Sequence, residues 1–498
     1  MNKFIQARQP RYFNQLPESF KLSGSSRLSG SLKYCLYFFG IFAFAFGLGA
    51  CATYYQSHFD FNNEFEHGDL GKALETLKKR KSEGDGRTRF LYDVNKGLVL
   101  SILGEYEESN EYFEKAFLFG EDYRINYVAE ATSYFSNPTV AAYRGEDHEH
   151  LMVLYFKAIN YLKMNMPEEA LVECRRLNIR LNQLNDKYVS LEKFQRDAFI
   201  HTLMGIIYQS GKDYNNAFIA YRNAVDVYEN EYAKMFGMQV PQQLKIDLLN
   251  TAKWTGFQDE FESFKAKFKM YDFKESKQDA DLIFFWHNGL GPVKDEWSIN
   301  FLIHTGNDNT MVFTNPELGL NFPFVVTESK DRADLAKLEV FRVAFPRYRE
   351  RELYFNSAYL RLDSNKYSLQ LGEDINKVAF HSLNQRMLQE FAKGLLRAAL
   401  KKAAEHSIRK EDERLGALIG LVNAITEKAD TRNWQTLPHS IFYSRVPLKE
   451  GANPVTFTIQ SNNQRNIDYN FTYTAKKGQT LFHTFSSLET MTGPYRYY

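Results

Sequence analysis

The chain has 498 residues, of which 44% are hydrophobic and 25% are charged. This is the composition of a folded protein of two or more domains and excludes a disordered tail. Its 62 basic and 61 acidic residues leave a formal net charge of +1, which gives no overall field for a phosphate backbone, so we expect no nucleic acid partner.

The first predicted element is an export signal at residues 1–50, with an extended N-terminal region. The stretch YCLYFFGIFAFAFGLGA, which begins at Tyr34, carries no charge and follows Lys33. A basic flank, a short apolar segment and a small-residue exit are typical of secretory signals. The sequence LGAC, ending at Cys51, resembles a bacterial lipobox, which implies that Cys51 is acylated and begins the mature chain. The alternative is a plain membrane anchor, for which 17 apolar residues are short.

Two details of this segment bear on localisation and translation. Ala52 is not the Asp that retains lipoproteins at the inner membrane under the sorting rule of enteric bacteria. The resemblance therefore implies a lipid anchor on the periplasmic face of the outer membrane, with the inner membrane as the alternative. The polar region before Lys33 is longer than a compact signal-peptide head, and a translation start near Leu28 or Leu32 is one explanation. Only Cys174 then remains as a free thiol, so we expect no internal disulfide.

Residues 51–270 are predicted to form a helical repeat domain of the tetratricopeptide (TPR) type. Small and large residues recur 16 positions apart, in the pairs Gly97 and Phe113, Ala158 and Cys174, and Gly205 and Tyr221. In TPR repeats a small residue on the first helix lets the second helix approach closely, and the large residue fills the space between them. Weaker copies, HGDLGKA from His67 and TGFQDEF from Thr255, are predicted to cap the two ends.

TPR arrays commonly bind peptides or partner proteins in a concave groove. The alternative for each groove position is packing inside the array. The predicted groove positions on the first helices are Val94, Ser101, Tyr155, Leu162, Thr202 and Gln209.

The polar run YRGEDHEH, from Tyr143 to His150, precedes a long helical pattern. Acids at the front of a helix complement its dipole. His148 and His150 are two residues apart, so they face different sides of a helix and cannot hold one ion together. Glu146 and His150 are four residues apart, but a metal would need further ligands from elsewhere. We expect no metal and no cofactor.

Three stretches carry a resemblance to an uncharacterised family of bacterial TPR-containing lipoproteins. The first has Tyr-x-Gly-Glu-Asp before a helix pair that ends in Val-Glu-x-Arg-Arg; the others are HNGLGPVKDE from His287 and ADTRNWQTLPHSIFYSRVPL from Ala429. The resemblance spans most of residues 60–460. Some relatives are encoded beside outer-membrane activators of penicillin-binding proteins, which implies work in the cell envelope. The matching residues are Tyr143, Gly145, Glu146, Asp147, Val172, Glu173, Arg175, Arg176, Asn288, Gly289, Pro292, Lys294, Asp430, Arg432 and Trp434.

The charged members of the first motif are expected to have a scaffold role. Glu146, Glu173, Arg175 and Arg176 are predicted to form one buried or half-buried network, because arginine holds carboxylates in defined geometry. Such a network would fix the inserted loop onto the helix pair. The alternative is a ligand site lined by Tyr143 and the acids.

From about residue 280 the pattern indicates strands. They are predicted in DLIFFWHN, followed by a tight exposed loop, and in TMVFTNP, NFPFVVTE, LEVFRVAFP, LYFNSAYLRLD, PVTFTIQS, YNFTYTA and QTLFHTFSS. Two helices interrupt them, one from Glu373 to about His406 and a buried apolar one from Arg414. The predicted fold is α+β: an N-terminal TPR-like α-solenoid followed by a mixed, mainly antiparallel β domain at 280–498, with two inserted helices and terminal strands at about 438–488.

We expect a lipid-anchored periplasmic scaffold or adaptor that binds other envelope proteins, and not an enzyme. Asp430 and Arg432 are the most enzyme-like residues, yet a turn held by an Asp side chain explains them equally well. The sequence contains no nucleophile elbow, zinc-protease motif or phosphate loop. The alternatives are a cell-wall hydrolase or transferase with a site around His287, Asp430 and Arg432, and a glycan-binding module. The partner and the oligomeric state stay open.

Overall fold

The computed structural model describes residues 53–122, 141–187, 196–275, 279–338, 340–411, 429–461 and 466–490. The predicted signal segment, Cys51 and the apolar helix from Arg414 lie outside the described residues. No helix in the described ranges combines the length and the apolar character needed to cross a bilayer.

The first half of the chain is helical. Three short helices begin it: α1 (Tyr54–Ser57), α2 (Phe59–Glu66) and α3 (Leu70–Lys79). Helix pairs follow: α4 (Arg89–Leu103) with α5 (Tyr106–Asp122), α6 (Asp147–Lys163) with α7 (Pro167–Lys187), α8 (Ala198–Ser210) with α9 (Tyr214–Val227), and α10 (Gln242–Thr255) with α11 (Gln258–Lys267). Helix α9 continues through a π-helical turn, Tyr228–Tyr232, and a last α-helical turn, Ala233–Met235.

Close packing inside the helix pairs confirms the TPR-like part of the predicted fold. A Cβ atom added to Gly97 on α4 would lie 2.9 Å from the ring of Phe113 on α5. A Cβ atom added to Gly205 on α8 would lie 2.4 Å from the ring of Tyr221 on α9. Both distances are too short for a real contact, so only glycine lets these helices approach as they do.

Gly205→Ala is therefore expected to lower the free energy of unfolding by about 1–3 kcal/mol, because the added methyl group overpacks a fully buried contact with Tyr221. Gly71 in α3 provides the control, since an added Cβ there meets nothing within 4 Å. Gly71→Ala should leave stability unchanged or raise it by up to about 1 kcal/mol. Urea denaturation of both variants checks this, and equal effects would contradict the close packing.

The second half of the chain contains the strands. They are β1 (Ala280–Asn288), β2 (Val293–Thr305), β3 (Thr310–Asn315), β4 (Leu320–Val325), β5 (Val340–Arg349), β6 (Phe355–Leu362), β7 (Asn365–Ser368), β8 (Gln370–Asp374), β9 (Ser440–Leu448), β10 (Gly451–Ser461), β11 (Asn466–Ala475) and β12 (Thr480–Ser487). Every strand predicted above falls on an observed one. Sequence reasoning missed β2, β7 and β8. It placed a tight exposed loop after β1, but residues 289–292 are buried because the backbone of residues 437–439 bonds to them.

These strands form three four-stranded sheets among the described residues. The central sheet has the order β12-β1-β9-β8, and β12 pairs parallel with β1. The outer sheet has the order β11-β10-β6-β7, and the distal sheet has the order β4-β3-β2-β5. Most pairings are antiparallel, as the alternation of the sequence predicts.

The central sheet is buried on both faces. On β1, Phe284 belongs to the core shared with the outer sheet, and its ring centroid lies 4.7 Å from that of Phe457 on β10. The next residue, Phe285, belongs to the core of the helical repeats. Successive side chains of a strand point to opposite faces, so one run of apolar residues serves both cores. The protein thus has three layers here: helices, central sheet and outer sheet.

The distal sheet packs on a long helix, α13 (Ile375–Glu411), and on the short helix α12 (Ser329–Leu335). The sequence predicted α13 to begin with Glu373 and Asp374. Asp374 instead caps the helix, since its carboxylate accepts a 2.9 Å hydrogen bond from the backbone nitrogen of Lys377.

Candidate functional site

The three motif stretches meet in one buried cluster, here named the motif hub. Its members are Tyr143, Glu146, Glu149, Lys294, Asp430, Arg432, Asn433 and Trp434. These residues come from the start of α6, the start of β2 and the segment before β9. Residues nearly 300 positions apart in the sequence thus lie in contact.

The first motif forms the start of α6. Gly145 has a φ of +87°, and a Cβ atom added there would lie 2.6 Å from the ring of Phe90, so this position requires glycine. Glu146 is the N-cap residue, and its backbone nitrogen donates to the carboxylate of Glu149 at 2.9 Å. Asp147 is half-buried in the first turn, where an acid complements the helix dipole.

A fully buried ion pair joins this helix to the second motif. The ammonium group of Lys294 on β2 donates to the carboxylate of Glu146, and both side chains are shielded from solvent. The Lys294 nitrogen also lies 5.7 Å from the ring centroid of Tyr143. Asn433 connects the third motif to the second. Its side chain accepts a hydrogen bond from the Lys294 backbone at 3.2 Å and donates one to the Pro292 carbonyl at 2.8 Å.

Glu149 is the acceptor at the centre of the hub. It accepts from the backbone nitrogen of Trp434 at 2.6 Å and from the hydroxyl of Tyr143 at 2.8 Å. Burial, together with the nearby charge of Glu146, raises the pKa of Glu149 to about 7. Sequence reasoning missed this residue, although an acid three positions after the N-cap is the signal of a capping box.

The remaining motif residues hold the backbone around the hub. Arg432 donates to Asp430 at 2.7 Å and to the Ala141 carbonyl at 2.9 Å. Asn288 donates to the Phe355 carbonyl at 2.9 Å. Gly289 has a φ of +62°, and a Cβ atom there would lie 2.4 Å from the side chain of Leu353.

Arg351 lies beside the motif hub and is a second buried residue that no sequence pattern predicted. It is 1% exposed and bonds to the Gly291 carbonyl at 2.7 Å and to Glu66 at 2.8 Å, and it also donates to the Gln435 carbonyl. It thereby connects α2 to both motif loops. Because its partners lie in three separate parts of the chain, no local pattern marks it.

The predicted single network of Glu146, Glu173, Arg175 and Arg176 is wrong. Glu173 and Arg176 pair at 3.0 Å in a second cluster, with Lys157 and Glu114. Arg175 instead donates to the hydroxyl of Tyr208 at 3.3 Å. Lys157 lies eleven residues along α6 from Glu146, which is about 16 Å of helix, so one network cannot join both ends.

The predicted concave groove is occupied by the protein's own central sheet. The hydroxyl of Tyr155 lies 2.9 Å from Nε2 of His287 on β1, and the side chain of Gln209 accepts from Arg445 on β9 at 3.0 Å. Ser101 is half-buried and donates to Asn160 at 2.6 Å. Residues Val94, Tyr155, Leu162, Thr202 and Gln209 are all buried. These six residues make internal contacts, which corrects the prediction that they face a partner.

Arg445 is the main charged contact between the central sheet and the helices. Its guanidinium group donates to Asp247 on α10 at 2.9 Å and to Asp281 on β1 at 3.2 Å. The same group also lies 3.2 Å from the hydroxyl of Tyr221 on α9. One buried arginine thus satisfies two carboxylates and two neutral acceptors across the interface.

A buried pair of acids lies at another point of this interface. Tyr232 donates to Glu373 at 2.9 Å, and Asp197, the N-cap of α8, accepts from the Ile200 backbone at 2.9 Å. Burial and the neighbouring acid raise the pKa of Glu373 well above its usual range, and burial raises the pKa of Asp197 to about 6. Folding therefore makes both carboxyl groups keep their protons to a higher pH than they do in the unfolded chain.

This pair predicts a pH dependence. Because both pKa values are raised by folding, its contribution to stability is full at low pH and is lost as the pH rises through about 6. Glu373→Gln replaces the carboxyl group with a neutral amide that cannot acquire a buried charge, so we expect a gain of about 1–2 kcal/mol at pH 8 and little change at pH 4.5. Urea denaturation at both pH values checks this, and a loss of stability at pH 8 would contradict it.

The residues of the enzyme alternative do not assemble into one site. His287 is buried, bonds to Tyr155, and has its pKa lowered to about 4 by burial. Asp430 and Arg432 pair with each other. Asp295, which follows Lys294 on β2, pairs with Arg349 on β5 at 2.6 Å. Within the described ranges, no group of three His, Cys, Asp or Glu side chains is placed to hold a metal ion.

Comparisons with known proteins add little. No protein-family model and no curated protein matches the chain. Several solved structures resemble 43% of the chain. TPR-like repeats of a Podosopora anserina kinesin light chain match at 13% identity over 93% of their own length, with a TM-score of 0.28. BtubC from P. vanneervenii matches at 15% identity over 80% of its length (TM-score 0.28), and a Rap protein complexed with competence and sporulation factor matches at 15% identity over 52% of its length (TM-score 0.26). These TM-scores are too low to support an argument about the fold. The TPR-like character of the helices is shown by the close packing within the helix pairs.

Proposed function

We propose that the protein is a lipid-anchored adaptor of the cell envelope that binds partner proteins on the outer side of its helical repeats. The central sheet fills the concave side, and the charged residues of the motif hub pair with one another inside the protein. A partner therefore needs another surface. One groove on the helices has the size and chemistry to provide it.

The outer groove lies between α5, α6 and α7 and encloses about 740 Å³. Its floor carries the buried Lys157, which pairs with Glu173 at 2.8 Å. Its rim presents large apolar side chains, with Leu118 49% exposed and Met166 37% exposed. Exposed apolar side chains beside a cavity mark sites of protein contact. This groove is the observation that carries the proposal.

The chemistry of the groove indicates the partner. The exposed charged side chains that line the groove are Glu107, Glu111 and Lys115. The acids outnumber the single exposed base, so the rim favours a positive charge. The occupant we propose is a protein segment with apolar side chains flanked by lysine or arginine.

Site-specific photo-crosslinking tests the groove. A photoreactive amino acid at Leu118 in the full chain, in cells, should give a discrete adduct whose partner peptide contains both apolar and basic residues. Glu107→Lys with Glu111→Lys should reduce the adduct at least about tenfold by placing like charges together. The matched control, Asp259→Lys with Glu260→Lys on the exposed part of α11, should not. An acidic partner peptide, or an adduct unaffected by the groove variant, would overturn the proposal.

The anchor is tested separately by the mass of the mature chain. We expect its first residue to be Cys51 carrying acyl chains, and Cys51→Ala should release the protein from membranes. The resemblance to a lipobox supports this part of the proposal. A mature chain that begins elsewhere, or that keeps Cys51 unmodified, would refute lipid anchoring and leave the groove untouched.

A further inference from the structure

Four consecutive basic residues lie at the C-terminal end of helix α3 and just beyond it. Lys78, Lys79, Arg80 and Lys81 are consecutive, and the three lysines are exposed. In the described part of the chain, no carboxylate forms an ion pair with any of these lysines, so their charges face solvent. Helix ends favour basic residues, but Lys81 lies beyond the end of α3 at Lys79, which the helix dipole alone does not explain.

The fourth cation attaches this run to the beginning of the folded chain. Arg80 donates to the Ser57 carbonyl at 3.2 Å and to Glu83 at 3.2 Å. His58 also lies 3.1 Å from Glu83. Glu83 is thus already paired with two basic side chains, and the bond from Arg80 to Ser57 keeps the lysine run next to α1.

Only a short stretch of chain connects this position to the proposed acylation site. Ser57 is six residues after Cys51, and four of those residues form α1. The chain between Cys51 and Ser57 can span no more than about 15 Å, because a helix rises about 1.5 Å per residue and an extended chain spans at most about 3.6 Å per residue. If Cys51 is lipidated, the lysines are therefore held near the membrane surface, where charge interactions act over about 8–10 Å at physiological salt.

We propose that Lys78, Lys79 and Lys81 bind anionic phospholipid headgroups of the membrane that holds the anchor. This inference depends on the proposed lipid anchoring and adds an orientation to it. Basic side chains beside an acyl anchor form a second attachment to an anionic surface. Phe59, 49% exposed and two residues after Ser57, adds an aromatic ring suited to the same interface. The N-terminal end of the helical repeats then faces the membrane.

An exposed thiol introduced beside the run reports this contact, since the native Cys174 is buried. Ser82 is exposed beside the run, and Ser82→Cys in the full, acylated chain can be labelled with a water-soluble maleimide in vesicles. We expect labelling at least about threefold slower in phosphatidylethanolamine vesicles containing phosphatidylglycerol than in those containing phosphatidylcholine, with the difference lost in about 0.5 M NaCl.

Matched charge variants make the test specific. Lys78→Gln, Lys79→Gln and Lys81→Gln together should abolish the difference between the vesicles. The control Lys330→Gln, Lys476→Gln and Lys477→Gln removes the same charge from exposed positions elsewhere and should preserve it. Equal labelling in both vesicles by an acylated chain would overturn the proposal. A chain whose mass shows no acyl group would refute the anchor instead, so the two failures are distinguishable.

Discussion

Replacing Arg445 with Leu is expected to lower the free energy of unfolding by about 3–5 kcal/mol, because removing one partner leaves buried carboxylates without a counter-charge. The side chain of Asp247 is 1% exposed and that of Asp281 is 14% exposed, so water cannot replace the guanidinium group. Both carboxylates lie at the interface between the central sheet and the helices. The loss should therefore destabilise both halves of the chain together, as measured by urea denaturation followed by circular dichroism.

A surface ion pair provides the control for Arg445. Arg361 lies 3.3 Å from Asp468 on the outer sheet, and both side chains are nearly half exposed, at 49% and 47%. Arg361→Leu should cost no more than about 1 kcal/mol. If Arg445→Leu were as mild as Arg361→Leu, the buried contact would not hold the interface.

Lys294→Met is expected to have a comparable effect in the motif hub, again about 3–5 kcal/mol. Glu146 and Glu149 are 6% and 0% exposed, so their charges stay shielded from water when Lys294→Met removes the ammonium group that pairs with Glu146. Adding Glu146→Gln to Lys294→Met removes one of these charges, so the double variant should recover part of the lost stability. Thermal unfolding of the three proteins checks this, and a double variant less stable than the single one would contradict the ion pair.

The hub explains why the sequence motifs occur together. Each motif looks like a turn or a helix start when read alone. Together they supply acids, a lysine and a set of backbone donors and acceptors that become internal contacts, as the bonds from Lys294 to Glu146 and from Trp434 to Glu149 show. Buried polar groups require such partners, so each motif depends on the other two.

The local features of the fold could be predicted from the sequence because they depend on nearby residues. The spacing of Gly97 and Phe113 predicts a helix pair, and the alternation in β10 and β11 predicts an antiparallel sheet. Strand β2 was missed because its first residue, Val293, is followed by Lys294, Asp295 and Glu296. These three charged residues resemble a loop unless the pairing of Lys294 with Glu146 is known.

The filled concave face could not be predicted in the same way. The spacing that places Tyr155 and Thr202 on the inner side of the array is the same whether a partner or the protein's own sheet covers them. Only the tertiary contacts, such as the one from Tyr155 to His287, decide between these possibilities. The proposed function therefore assigns partner recognition to the outer side, where the large side chains of Leu118 and Met166 are exposed.

Thiol accessibility shows whether the central sheet fills the concave face of the helical repeats. Thr202 is 0% exposed on the inner side of the array, and Val172 is 48% exposed on α7. We expect the thiol of Val172→Cys to react with a maleimide within seconds, and that of Thr202→Cys to react only as fast as the protein unfolds. If the two native proteins were labelled at the same rate, the concave groove would be open and the account would be contradicted.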